Sequence, residues 1–135
     1  MPQQPASATR IKLCDINSDL IGRKLRVAGR VLSYDVNTGL IVLVDGKEAV
    51  LVDISLALDF HSKVWATDRL STIMAIGDLE SSDAPLEIPS TASPHVLALK
   101  ISNQLVLRAI LVIPSPNLDL GLWKAVLDEE EESQS

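Results

Sequence analysis

The sequence predicts an all-β domain with flanking helices: a five-stranded, partly open barrel followed by a C-terminal helix. Three observations lead there. Residues 24–54 hold three β-rich runs separated by turn signals, the pattern of an antiparallel meander. The second and third runs are apolar on both faces, which a barrel covers more easily than an open α+β sheet does. Glycines that permit sharp bends, Gly29 and Gly77, stand inside the first and fourth runs. A length of 135 residues suits one domain rather than two with separate cores.

Residues 1–10 are polar, contain two Pro and offer too little apolar surface to offset the entropy of ordering, so they read as a flexible arm. Structure is expected from Ile11. Residues 24–35 alternate, with Leu25, Val27, Gly29 and Val31 on one face and Arg26, Ala28, Arg30, Leu32 and Tyr34 on the other. Asn37-Thr38-Gly39 breaks the chain before a second strand over 40–44, and Asp45-Gly46 is a hairpin signal leading into a third over 49–54. Ser55 suits the cap of a short helical segment through Leu58 and Val64 to Trp65. A fourth strand follows over 70–79. Residues 80–94, with three Pro among Ser and Thr, read as an exposed loop insertion. Two β-rich runs, 96–101 and 105–113, flank a turn at Ser102-Asn103-Gln104 and form either a hairpin or one bent strand.

Pro114 and Pro116 halt the sheet, and Asn117 is the expected N-cap of a helix over 118–127. Leu118, Leu122, Trp123, Val126 and Leu127 fall at i, i+4, i+5, i+8 and i+9, one apolar stripe. Gly121 weakens the helix by about 1 kcal/mol relative to Ala, so packing must hold it. Five acids over 128–132 oppose the helix dipole, so residues 128–135 read as a fraying, disordered acidic tail. The domain proper is therefore expected over 11–127.

The net charge of −6 owes five of its 18 acids to that tail, without which the chain is nearly neutral. Six bases against two acids lie between Arg10 and Arg30, a local basic edge rather than the domain-wide excess of a self-sufficient nucleic-acid binder. Arg26, Arg30 and Tyr34 share a predicted strand face, the combination by which barrel surfaces meet single strands, but with one aromatic the expected contact is weak. His61 and His95 lie near predicted loops, and no Cys or His cluster has metal-ligand spacing. Cys14 stands alone, without a nucleophile motif, and suits a reducing compartment. Asp35 and Asp45 sit at strand ends and turns, where Asp serves the backbone. No GxxxxGK phosphate loop occurs. No enzymatic activity, metal or cofactor is expected. No apolar run approaches the roughly 20 residues that cross a bilayer, so a soluble intracellular protein is expected.

Residues 29–43 (GRVLSYDVNTGLIVL) and 50–58 (VLVDISLAL), with 73–79 (IMAIGDL) and 107–112 (LRAILV), resemble the fungal form of the smallest subunit of the CST telomere-capping complex, the Ten-one family. Asp119-Leu120-Gly121-Leu122-Trp123, with Thr38-Gly39 and Asp45-Gly46, also resembles the smallest subunit of replication protein A. Either resemblance implies an OB-fold whose C-terminal helix packs against a helix of a larger OB subunit, in a heterodimer or a higher assembly. It also implies that single-stranded DNA is held mainly by that partner. On this chain the partner contact falls on Leu118, Leu122, Trp123, Val126 and Leu127. The first resemblance implies a nuclear protein at chromosome ends; the second implies general replication and repair. The acidic tail and the 80–94 insertion depart from the first family.

Overall fold

The computed structural model describes residues 8–57, 71–86, 88 and 100–134. Among the described residues six strands and one long helix follow in order: β1 (Thr9–Arg10), β2 (Lys24–Asp35), β3 (Leu40–Asp45), β4 (Glu48–Asp53), β5 (Thr72–Ser81), β6 (Leu105–Pro114) and α1 (Leu120–Gln134). Two 3-10 turns, Leu13–Asp15 and Ser18–Leu20, bridge β1 and β2. The sheet order is β1-β2-β3-β4-β6-β5, and β5 pairs back onto β2, so five strands close into a barrel with β1 added outside. Closure depends on β4 and β6, which run parallel through Leu51, Val52 and Asp53. This is the single OB-fold with a C-terminal helix that the pattern predicts.

β2 is long enough to serve both halves of the barrel. Its residues 24–30 pair with β5, and Arg30 onward pairs with β3. Gly29 sits at the changeover, where a Cβ would stand 2.9 Å from the Val44 carbonyl oxygen, so no larger residue fits without displacement. Gly77 is tighter still. A Cβ there would lie 2.1 Å from the Arg108 carbonyl oxygen, at the bulge where Ile76 faces Leu111 and Gly77 faces Ala109. Inside the ring, Leu25, Val27, Val31, Ile41, Leu43, Val52, Ile73, Leu79 and Leu107 form an aliphatic core.

Several boundaries move. Thr9 and Arg10 pair in parallel with Leu25 and Arg26, so the end of the expected flexible arm is ordered by the sheet; residues 1–7 lie outside the described residues. The fourth strand extends through Ser81, taking the first residues of the expected loop into β5. The second of the two β-rich runs forms β6; of the first, residues 96–99 lie outside the described residues, and Lys100 makes an isolated parallel bridge with Glu48. Of the expected short helix, Ser55 to Ala57 form a turn, and the remainder through Trp65 lies outside the described residues.

Candidate interaction faces

Helix α1 begins two residues later than expected. Asp119, not Asn117, caps it: the Leu122 N–H donates to Asp119 Oδ1 at 3.1 Å, and the Trp123 N–H donates to the Asp119 carbonyl at 2.9 Å. A carboxylate at that end also suits the helix dipole, which explains why Asp wins over Asn. Leu118 therefore precedes the helix, with its N–H bonded to the Ser115 carbonyl. At the other end α1 runs through Gln134, past the acids expected to unravel it. Glu has good helix propensity, and a dipole penalty of about 0.3–1 kcal/mol, screened by solvent, does not overcome it. The first acid of that run, Asp128, forms an ion pair with Lys12, which also lies 3.6 Å from Asp15. Lys124 stands 3.6 Å from Asp45 in the β3–β4 turn. Two ion pairs thus link the helix to the β1–β2 connection and to the end of β3.

The predicted apolar stripe divides into two rows. Leu127 is 5% exposed and Trp123, one turn earlier, is half-buried, so these two face the barrel. Leu122 is 63% exposed and Val126 40%, and these two, also one turn apart, face away. Leu118 is half-buried beside the groove of about 610 Å³ that Arg30, Val44, Asp45 and Gly46 share with the helix start. Of the five residues predicted for a partner, Leu122 and Val126 remain fully available.

Arg26, Arg30 and Tyr34 do not share a face. Val31 faces Leu43 but Ser33 faces Val42, so Leu32 is the extra residue of a bulge, and the alternation changes parity there. Tyr34 turns inward and packs against the main core. Arg30 stays exposed, while Arg26 is half-buried with its Nε enclosed and without a hydrogen-bond partner. Arg26 neighbours Arg10 of β1 in register. The basic edge survives without its aromatic, which removes the stacking platform of a single-strand site.

Sequence reasoning missed a second exposed apolar group on β6: Ile110, Leu111 and Ile113 are 48%, 49% and 36% exposed. Leu111 faces Ile76 of β5, and Ile113 faces Met74, so outward apolar side chains continue across two strands. The available signal was the unbroken apolar run over 109–113, which marks a strand apolar on both faces without saying which face is covered.

Cys14 is exposed, and its thiol is pushed up by partial burial and by the neighbouring Asp15 carboxylate, the reverse of what activates a nucleophile. His61 and His95 lie outside the described residues.

Fold and faces together define the class: a small OB barrel carrying a C-terminal helix with one row of apolar side chains left outside. Known structures agree with this architecture. A chain of the S. pombe Stn1–Ten1 complex matches at a TM-score of 0.67 and 20% identity, over 97% of this chain and 98% of that one. The telomere capping protein Ten1 from S. pombe matches at 0.64 and 20%, over 93% and 99%. An OBody bound to hen egg-white lysozyme follows at 0.54 and 17%, over 85% and 100%. No protein-family model and no curated protein matches the sequence.

Proposed function

We propose that this chain is the small OB-fold subunit of a CST-type telomere-capping complex, which docks on a larger OB-fold partner through the outward row of its C-terminal helix. The complex binds telomeric single-stranded DNA in the nucleus, and the small subunit supports end protection and telomere length regulation without catalysing a reaction. The observation that carries this reading is the exposed Leu122–Val126 row on a helix whose opposite side buries Leu127. An apolar row held rigidly in water is the usual signature of a protein interface. The likeness to Ten1 extends over nearly the whole of both chains, helix included, which supports the telomeric assignment over other OB proteins. The near-neutral body and the loss of Tyr34 from the basic face support a subunit that leaves most of the DNA to its partner.

A tagged full-length chain recovered from nuclear extract tests this, with the stoichiometric partner identified by mass spectrometry and the L122D/V126D variant run in parallel. Recovery of the telomere-capping OB subunit by the parent chain and its loss from the variant is the expected result. Recovery of the middle subunit of replication protein A instead moves the function to general replication and repair, the reading that the Asp119-Leu120-Gly121-Leu122-Trp123 resemblance favours.

A further inference from the structure

β3 and β4 are apolar on the outside as well as the inside. Val42, Val44, Ala49 and Leu51 point away from the barrel interior, beside Leu32 at the β2 bulge, yet none of the five exceeds 9% exposure. Described residues of the β5–β6 connection pack over them. Leu86, Ile88 and Ile101 pack onto this face together with Val106 of β6, forming a second core separate from the first. Backbone hydrogen bonds join the two ends of the connection to each other and tie Lys100 to the β3–β4 turn and β4. The Ser82 N–H donates to the Gln104 carbonyl and the Leu86 N–H to the Asn103 carbonyl, each at 2.7 Å. The Lys100 N–H donates to the Lys47 carbonyl at 2.7 Å, and the Ala49 N–H returns to the Lys100 carbonyl at 3.0 Å.

In OB barrels this outer face of the second and third barrel strands, framed by the loop before the last strand, is where oligonucleotides and oligosaccharides lie. Here the framing loop lies in the site instead. The surface beneath it is also wrong for a nucleic acid: five aliphatic side chains offer no aromatic plane for a base and no cation for a phosphate.

We propose that Leu86, Ile88 and Ile101 of the β5–β6 connection act as a built-in ligand that fills the oligonucleotide face of this barrel, so that the subunit makes no base contact through β3 and β4. Within the stretch expected to be an exposed loop insertion, Leu86 and Ile88 are thus seated on the barrel. This holds whichever complex contains the chain, and it does not rest on the telomeric reading.

Amide NMR of the full-length, isotope-labelled chain, titrated with oligothymidylate at low salt, tests it directly. The amides of Val42, Val44, Ala49 and Leu51 are expected to stay unshifted, while those of Leu86, Ala49 and Lys100 exchange slowly with solvent. Shifts centred on those four β3–β4 residues, or exchange at the Leu86, Ala49 and Lys100 amides as fast as in an unstructured peptide, overturn the proposal. In the I88S variant these three amides are expected to exchange roughly tenfold faster while oligothymidylate affinity stays that of the parent. Unchanged exchange overturns it as well. The titration of the parent chain stands even where the variant does not fold.

Discussion

The barrel has two apolar outer surfaces of nearly the same composition and opposite fate. On β3 and β4, Val42, Val44, Ala49 and Leu51 are buried under the chain's own connection. On β6, Ile110, Leu111 and Ile113 remain between 36% and 49% exposed, and on α1 the Leu122–Val126 row is likewise open. Hydrophobicity alone does not separate a core from an interface, because both are made of the same side chains. The difference lies in whether a covalently connected segment can reach the face and satisfy its backbone there, as Lys100 does against Lys47 and Ala49, and as Ser82 and Leu86 do with Gln104 and Asn103 of the same segment.

The largest expected effect separates these surfaces by stability. Leu51→Ala is expected to cost about 2–5 kcal/mol in denaturant unfolding, the penalty of a true core position, although Leu51 lies outside the barrel. A cost below about 0.5 kcal/mol would show the connection to be loosely seated. Next comes the open helix row. L122D/V126D is expected to weaken partner binding by about 2 kcal/mol or more in a titration, with the melting temperature of the isolated chain nearly unchanged. Loss of folding in that double variant would place the row inside the molecule.

Smaller effects sharpen the same contrast. Leu111→Ser on the open β6 surface is expected to change stability by no more than about 0.5 kcal/mol, against the several lost at Leu51. Asp128→Ala, which removes the partner of Lys12, is expected to cost at most about 1 kcal/mol and to lose its effect at high salt, because Asp128 is more than half exposed. A larger, salt-insensitive loss would make that pair a principal anchor of α1. Last, Cys14 is expected to alkylate more slowly than a free peptide cysteine at neutral pH, since its raised thiol pKa leaves less thiolate. Asp15→Asn removes the repelling carboxylate and is expected to speed the reaction; an unchanged rate would leave burial, with a smaller push from Glu48, as the cause.

Much of this molecule was legible in the chain itself. The 24–35 strand, the Asp45-Gly46 turn with Gly46 at a φ of +66°, the bends at Gly29 and Gly77 and the stop at Pro114 are local facts, because turn geometry and strand period are set by residues next to one another. The doubly apolar character of β3 and β4 was visible as well, though not what would cover their outer face. Three things were decided only by the tertiary structure. The bulge at Leu32 turned Tyr34 from the basic face into the core, since register shifts depend on the facing strand and not on the bulged one. The helix stripe divided into an inward Trp123–Leu127 row and an outward Leu122–Val126 row, because a stripe that wide outruns the barrel surface beneath it. The connection rich in Pro and Ser lay down on the outer face through Leu86, Ile88 and Ile101, apolar residues too widely spaced to show any period. Their partners are remote in sequence, and only folding brings them together.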